Sequence, residues 1–217
     1  MRPHAVSRQE DPRRRGTLSA MKRLVYVSGM PGAGKTTLAY PLAAELGYSL
    51  VTKDMLKEKL HDALYTAGEE LDLAWSRQLG AASMELLWTL AASAGDMVIE
   101  ANFRPHSPYE REKLLSLGGC PVEVHCTCPL DIAVARYNTR PRHPVHVTAA
   151  RRPGAELAQF NEPVGIGSLI TVDTTKQADV PAVASQVRRL HARAPEACAN
   201  TAGIHAAGAI AGGKAIG

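Results

Sequence analysis

A glycine-rich loop near the start of the chain constrains the fold more than any other feature. Residues 29–36 read Gly-Met-Pro-Gly-Ala-Gly-Lys-Thr and match the pattern G-x-x-x-x-G-K-[ST] at every fixed position. The apolar run Leu24–Ser28 predicts a buried strand before the loop, and a helix is predicted from Lys35 to about Leu46. In this context the pattern is typical of a phosphate cradle, because backbone amides converge at the positive end of the helix. We therefore predict nucleotide binding over the alternative of a simple glycine turn.

The residues of this loop have predicted roles in holding a nucleoside triphosphate. Glycines let the backbone approach the phosphates closely. Lys35 is expected to contact the terminal phosphates, Thr36 to give an oxygen to Mg²⁺, and Thr37 to lie beside the α-phosphate. The residues predicted to bind the nucleotide here are Gly29, Pro31, Gly32, Ala33, Gly34, Lys35, Thr36 and Thr37.

The remainder of the chain alternates between strand patterns and helix patterns. Further strands are predicted at Ser49–Thr52, Asp96–Ala101, Val122–Cys126 and Leu169–Asp173. Further helices are predicted at Met55–Leu60, Glu69–Ala94, Tyr109–Leu117, Leu130–Thr139, Ala155–Phe160 and Val180–His191. This alternation indicates an α/β fold in which helices cover both faces of a mostly parallel sheet.

Both ends of the chain lack the pattern of a packed domain. Residues 1–20 are basic and show no apolar periodicity, so a disordered extension is predicted there. Residues 194–217 are rich in Ala and Gly, which bury too little surface to offset the entropy of ordering, and a disordered tail is predicted. A single domain is expected over residues 21–193.

The charge distribution gives no support to a protein built mainly to grip nucleic acid. The formal net charge is +4, but residues 1–22 alone hold six Lys/Arg against two Asp/Glu, so the remainder is close to neutral. Nucleic acid is therefore not favoured as a partner. The chain also has no apolar run near the roughly 20 residues that span a bilayer, and we expect a cytoplasmic protein without a membrane partner.

Two acidic residues follow predicted strands at the edge of the sheet where ligands bind in α/β proteins. Asp54 comes just after the second predicted strand, and Glu100 lies near the end of the third. Asp54 is predicted to accept a proton from an acceptor hydroxyl or to position that hydroxyl, with a helix N-cap as the alternative. Glu100 is predicted to orient Mg²⁺ together with Thr36. For Asn102 and Arg104, acceptor contact and an ordinary loop role are both open.

A basic segment begins in the helix predicted at Leu130–Thr139. Its basic side chains are Arg136, Arg140, Arg142, His143, His146, Arg151 and Arg152. Arginines can neutralise a phosphoryl group in transfer, so an Arg-rich mobile lid is predicted at about residues 140–160, with a solvated loop as the alternative. Arg136 and Arg140 are four residues apart and can share a helical face, so they are the predicted catalytic pair. Arg142 is predicted to contact the acceptor.

Five motifs in this order resemble the small P-loop kinases grouped as AAA-type ATP-binding proteins. That group includes the kinase domain of polynucleotide kinase, chloramphenicol phosphotransferase and gluconate-type kinases. The motifs are Gly-Met-Pro-Gly-Ala-Gly-Lys-Thr-Thr, Thr-Lys-Asp-Met-Leu-Lys, Val-Ile-Glu-Ala-Asn-Phe, Arg-Tyr-Asn-Thr-Arg-Pro-Arg-His-Pro and Val-Asp-Thr-Thr. The resemblance covers about residues 24–190.

The resemblance implies a three-layer α/β/α P-loop fold with a five-stranded parallel sheet in the order 2-3-1-4-5. It also implies that Asp54 is the acceptor-side base and that Lys57 contacts the acceptor. Asp173 and Thr174 would lie near the adenine. ATP is favoured over GTP, because the sequence from Thr175 to Asp179 is one residue too long for the guanine-reading motif.

Taken together, these features predict an ATP-dependent kinase that transfers the γ-phosphate of MgATP to a hydroxyl of a small molecule. A kinase of 5′-hydroxyl polynucleotides is one alternative, although aromatic residues for base stacking are only 5% of the chain. The other alternative is a nucleotide-regulated switch, in which hydrolysis only changes partner binding. The sequence does not name the acceptor.

Overall fold

A parallel sheet forms the centre of the computed structural model, which describes residues 22–65, 72–146 and 154–207. Its strands are β1 (Leu24–Gly29), β2 (Ser49–Thr52), β3 (Met97–Glu100), β4 (Val122–Thr127) and β5 (Ser168–Asp173). Every neighbouring pair is parallel, and the order is β2-β3-β1-β4-β5. The predicted five-stranded parallel sheet and its strand order are therefore confirmed.

Helices cover the sheet on both faces and give the predicted three layers. They are α1 (Lys35–Leu46), α2 (Lys53–Leu64), α3 (Leu73–Ser93), α4 (Pro108–Ser116), α5 (Leu130–Thr139), α6 (Gly154–Ala158) and α7 (Val180–Ala207). All six residues of β1 are buried. Val25 and Val27 pack into one core with residues of α1 and α7, whereas Leu24 and Tyr26 pack into a second core with residues of α3 and α4. The cores lie on opposite faces because successive strand side chains alternate in direction.

The starts of two helices differ from the sequence prediction because of capping side chains. α2 begins at Lys53 rather than Met55, and its N-cap is Thr52, whose Oγ1 accepts a hydrogen bond of 3.2 Å from the amide of Met55. α3 begins later than predicted, since the Asp72 side chain accepts a hydrogen bond of 2.7 Å from the amide of Trp75. Hydroxyl and carboxylate oxygens at these positions satisfy amides that have no partner within the helix.

The last helix is longer than the sequence predicts. It was expected to end at His191, whereas α7 continues to Ala207. The high helix propensity of alanine accounts for the added turns. The predicted N-terminal extension, residues 208–217 of the predicted tail, and residues 147–153 of the predicted lid lie outside the described residues. Within the described part of the chain, none of the helices combines the length and the apolar character that crossing a membrane requires.

The sheet brings its glycine-rich loop into close contact with a neighbouring strand. Gly29 ends β1 with a φ of 128°, a value that side-chain-bearing residues rarely adopt. A Cβ atom added to Gly29 would lie 2.3 Å from the carbonyl oxygen of Cys126 in β4. Only glycine allows β1 and β4 to pair up to this point while the chain turns into the loop.

We expect Gly29→Ala to lower the free energy of unfolding by about 2 kcal/mol or more, from backbone strain and overpacking together. Urea denaturation followed by circular dichroism measures this change. Gly95→Ala is the matched control, because a Cβ on Gly95 meets nothing within 4 Å. Equal effects of the two substitutions would contradict the close approach at Gly29.

Candidate active site

The glycine-rich loop is held against α5 as well as β4. Gly32 and Gly34 have φ values of 89° and 77°. A Cβ on Gly32 would lie 2.2 Å from the carbonyl oxygen of Ala133 in α5. Backbone that includes such left-handed residues forms the concave amide surfaces that bind anions. Gly34 is also the N-cap of α1, so the positive end of this helix lies at the loop.

Lys35 is a buried cation enclosed by its own loop. Its Nζ donates hydrogen bonds of 2.8 Å to the carbonyl oxygens of Gly29 and Met30. Burial lowers the pKa of Lys35, although the negative charge of Glu100 opposes this shift. An anion placed beside this amine would stabilise its charged form, which is the electrostatic requirement of a phosphate site.

Thr36 and Glu100 form an oxygen pair beside this lysine. The Thr36 hydroxyl donates to Oε2 of Glu100 at 3.3 Å. Burial raises the pKa of Glu100, against the opposing effect of Lys35. A hydroxyl and a carboxylate at this spacing suit Mg²⁺, which takes oxygen ligands and usually completes its shell with water and substrate phosphates. The donor set therefore fits the predicted metal, and Thr36 and Glu100 would hold it.

Asp54 lies in the first turn of α2, next to the carboxyl ends of β2 and β3. Because Thr52 caps this helix, the alternative role of Asp54 as the N-cap is wrong. The carboxylate of Asp54 lies 3.7 Å from Nζ of Lys53 and 3.8 Å from a guanidinium nitrogen of Arg140. Burial by itself would raise the pKa of Asp54, but the positive charges around it, Lys53 foremost, hold it below its ordinary value. Asp54 is consequently ionised at neutral pH.

Two cavities meet at Asp54. The first, which we call the loop cavity, has a volume of about 330 Å³. It is lined by Pro31, Gly32, Gly34, Lys35, Thr36, Thr37, Asp54, Glu100, Asn102, Arg136, Thr139 and Arg140. It therefore brings together most of the residues predicted to bind phosphate and metal.

The second, which we call the basic cavity, has a volume of about 520 Å³. Its predicted acceptor residues are Asp54, Lys57, Asn102, Arg104 and Arg142, and its further lining comes mainly from α3, with Lys53, Glu110, Tyr137, His146 and Phe160. Pro31, Asp54, Asn102 and Arg140 line both cavities. A molecule bound in one cavity could therefore contact a molecule bound in the other beside Asp54.

Arg136 and Arg140, the predicted catalytic pair, both line the loop cavity but do not share a helical face. Arg140 is the C-cap of α5 and has an extended backbone, so it does not share a helical face with Arg136. Arg136 donates a hydrogen bond of 3.0 Å to the carbonyl oxygen of Thr174. Arg140 points toward Asp54. Because α5 ends at Thr139, the two arginines approach the loop cavity with different partners, Arg136 bonded to Thr174 and Arg140 beside Asp54.

Asp173 and Thr174, predicted to lie near the adenine, line neither cavity. The Asp173 side chain is exposed and accepts a hydrogen bond of 2.8 Å from the amide of Thr175. The Thr174 hydroxyl lies 2.8 Å from the carbonyl oxygen of Ala33 and 3.0 Å from that of Thr127. Thr174 thus ties the glycine-rich loop to the ends of β4 and β5.

Several residues of the basic cavity were missed by sequence reasoning. Ser76 and Arg77 of α3, Glu110 of α4 and Phe160 line it although no local motif marks them. Glu110 is buried and accepts hydrogen bonds from the backbone amide and the guanidinium of Arg104. Ser76, Arg77 and Glu110 reach the site because α3 and α4 pack on the same face of the sheet, whereas Phe160 follows α6 and packs in the opposite core. No local pattern in the sequence indicates that packing.

Comparison with known proteins agrees with this arrangement. The chain matches the AAA domain over residues 24–163, more than half of its length. A crystal structure from Chloroflexus aurantiacus j-10-fl, provisionally named a kinase, is 32% identical, with 78% of this chain and 98% of that chain covered and a TM-score of 0.66. Shikimate kinase from Acinetobacter baumannii, solved with shikimate, is 18% identical over 78% of this chain and 92% of its own, with a TM-score of 0.50, and so shares the fold alone. The chain belongs to the AAA domain family and has the fold of the P-loop kinases.

We expect Thr174→Val to lower the free energy of unfolding by about 1 to 3 kcal/mol, because the buried carbonyl of Ala33 loses its hydroxyl donor. The same change should weaken nucleotide binding by loosening the loop. Thr174→Ser keeps the hydroxyl and should behave like the parent protein. Thermal unfolding with and without MgATP measures both effects. If Thr174→Val behaved like the parent protein, the hydrogen bond from Thr174 to Ala33 would not stabilise the loop.

Proposed function

We propose that this protein is an ATP-dependent phosphotransferase, a kinase that transfers the γ-phosphate of MgATP to a hydroxyl group of a small molecule. The observation that carries this proposal is the position of Asp54, at the junction of the loop cavity and the basic cavity. Transfer requires the donor phosphate and the acceptor hydroxyl to meet in line. A cytoplasmic location, where ATP is available, is part of the proposal.

The residues of the loop cavity would hold the donor. Loop amides and the ammonium of Lys35 bind the phosphates, and Thr37, which lines the cavity, lies beside the α-phosphate. Mg²⁺, held by Thr36 and Glu100, would neutralise phosphate charge when bound. Arg140 lines both cavities and can stabilise charge on the phosphoryl group as it passes between them.

Asp54 would act on the acceptor. Its ionised carboxylate accepts a hydrogen bond from the acceptor hydroxyl and so points an oxygen lone pair at the γ-phosphorus. As the new oxygen–phosphorus bond forms, the bond to the β–γ bridging oxygen breaks, ADP leaves, and the hydroxyl proton passes to Asp54. A lowered pKa makes this carboxylate a weak base, so orientation of the hydroxyl supplies the larger part of its effect.

The comparisons support the donor side of this proposal more strongly than the acceptor side. The match to the Chloroflexus aurantiacus protein, which is named as a kinase, extends over nearly the whole of that protein's chain. A P-loop fold by itself also serves switch proteins. The volume and lining of the basic cavity favour a kinase over a switch, because a switch that only hydrolyses nucleotide needs no second cavity beside the phosphates.

A panel of hydroxyl compounds tests the kinase proposal. The purified protein is incubated with MgATP alone and with polyols, hydroxy acids, sugar phosphates, nucleosides and a 5′-hydroxyl oligonucleotide, and ADP formation is followed. Turnover that rises with one class, together with a phosphorylated product seen by mass spectrometry, supports a kinase. Slow hydrolysis that no compound stimulates supports the switch instead, and stimulation by the oligonucleotide alone supports the polynucleotide kinase.

We expect Lys35→Ala to weaken MgATP binding by at least about a hundredfold, because the phosphates lose a charged hydrogen-bond donor. Isothermal titration calorimetry measures this loss. Lys59→Ala is the matched control, since Lys59 lies on α2 with an exposed side chain that pairs with Asp62. Unchanged MgATP affinity in Lys35→Ala would rule out the loop cavity as the nucleotide site.

We expect Asp54→Asn to keep MgATP affinity within about threefold and to lower the transfer rate by about a hundredfold or more. Asp131→Asn is the control, because Asp131 is an exposed acid in the first turn of α5. In the parent protein the pKa of Asp54 is below its ordinary value. The carboxylate thus keeps its charge throughout the pH range in which an ordinary aspartate is ionised, and protonation of Asp54 should cause no decline in rate within that range. An unchanged transfer rate in Asp54→Asn would refute its assigned role.

A further inference from the structure

The basic cavity carries a marked excess of positive charge. Among the described residues, six Lys and Arg side chains line it, against the two carboxylates of Asp54 and Glu110. Five of the six line this cavity and not the loop cavity, namely Lys53, Lys57, Arg77, Arg104 and Arg142. Their charges therefore face the space beyond Asp54 rather than the triphosphate.

The carboxylates of the site offset only part of this charge. Asp54 lies 3.7 Å from Lys53 and 3.8 Å from Arg140. Glu110 pairs with Arg104 at 3.2 Å. Arg142 is held differently, because one guanidinium nitrogen donates a hydrogen bond of 2.8 Å to the carbonyl oxygen of Tyr137. Its guanidinium carbon also lies 3.6 Å from the centroid of the Tyr137 ring.

Arg142 is thus fixed in place by neutral groups, and among the described residues it has no carboxylate partner. The ring supports one face of the guanidinium and the carbonyl takes one nitrogen, which leaves further N–H donors. A guanidinium held in a single orientation loses little entropy when it binds a planar or tetrahedral anion through two donors.

The backbone around Arg142 is anchored to α2 and α3. Ser76 Oγ donates to the carbonyl oxygen of Val145 at 2.7 Å, and the buried Nζ of Lys57 donates to Ser76 Oγ at 2.8 Å. His146 Nε2 lies 2.9 Å from a carboxylate oxygen of Glu58. The start of the predicted lid is therefore part of the cavity wall in this structure, and Arg142 has a defined position in it.

We propose that the acceptor carries an anionic group, a carboxylate or a phosphate, which Arg142 binds while the acceptor hydroxyl lies at Asp54. This inference rests on the proposed kinase function. A neutral polyol would leave the guanidinium and the excess positive charge of the cavity without a counter-charge, whereas an anion matches both. A cavity of about 520 Å³ accommodates a small metabolite.

Matched acceptor pairs test the proposal by turnover. Glycerate is compared with glycerol and with glyceramide, and glycerol phosphate with glycerol, so that each pair differs in the anionic group. We expect kcat/KM for at least one anionic member to exceed that of its neutral partner by tenfold or more. The carboxylate and phosphate arms distinguish the two sources of charge. Neutral members that turn over as fast as their anionic partners would overturn the inference and leave the kinase function standing.

Anion binding tests it without turnover. With a non-hydrolysable ATP analogue and Mg²⁺ saturating the loop, inorganic phosphate and malonate are titrated by calorimetry as probes. Arg142→Gln should weaken binding of the preferred probe at least tenfold, and Arg142→Lys should recover part of it. Arg189→Gln is the control, because Arg189 is an exposed arginine of α7 whose guanidinium bonds only to Ser185 among the described residues. Thermal unfolding and affinity for the ATP analogue establish that each variant is folded.

The two tests separate failure of the inference from failure of the proposed function. Arg142-dependent anion binding without any phosphorylated product would retain the anion site and reject the kinase. Absence of Arg142-dependent anion binding would reject the inference whatever the acceptor panel gives. Preferred turnover of a 5′-hydroxyl oligonucleotide over every monomer would also reject it, since the anion would then belong to a polynucleotide backbone.

Discussion

Close packing of one backbone loop against its neighbours is the constraint on which the rest of the site depends. Gly29 and Gly32 meet carbonyl oxygens of β4 and α5 at distances that exclude a Cβ atom. Thr174 adds a hydroxyl that bonds to Ala33 from the end of β5. The loop is therefore fixed from several sides, and the start of α1 is fixed with it. This packing sets where α1 begins, and the hydrogen bonds of Lys35 to Gly29 and Met30 and of Thr36 to Glu100 then orient the two side chains.

Burial makes the electrostatics of the loop cavity unfavourable in the absence of a ligand. Burial lowers the pKa of Lys35 and raises the pKa of Glu100. The opposite charges of the two groups partly counteract both shifts. A lysine amine and a carboxylate that are both buried at one cavity favour the arrival of a polyanion together with a divalent cation, which would supply a counter-charge to each. In contrast, Asp54 at the mouth of the cavity stays ionised because cations surround it. The charge pattern thus separates a buried donor site from an acid that faces the second cavity.

The basic cavity is built mostly from elements other than those of the loop cavity. Its lining comes mainly from α2, α3, α4 and the segment after α5, whereas the glycine-rich loop and the start of α1 supply much of the loop cavity. Most side chains of these elements can therefore change without altering the loop cavity. In this chain they supply arginine and lysine side chains, and Arg142 stacked on Tyr137 is the best-defined of them. Under the proposed function, residues that would select the acceptor come partly from positions in α3 and α4 that no motif marks.

The sequence by itself determined the glycine-rich loop, the alternation of strands and helices, and the acids Asp54 and Glu100 at strand ends, because periodicity and spacing are local properties. The starts of α2 and α3, which follow the N-caps Thr52 and Asp72, were misjudged by a few residues, since capping competes with apolar periodicity there. Only the tertiary structure gave Arg136 and Arg140 different partners in the loop cavity and brought α3 and α4 to the basic cavity. Those placements depend on how the helices pack against the sheet. This packing brings together residues that are far apart in the chain, so local sequence patterns do not reveal it.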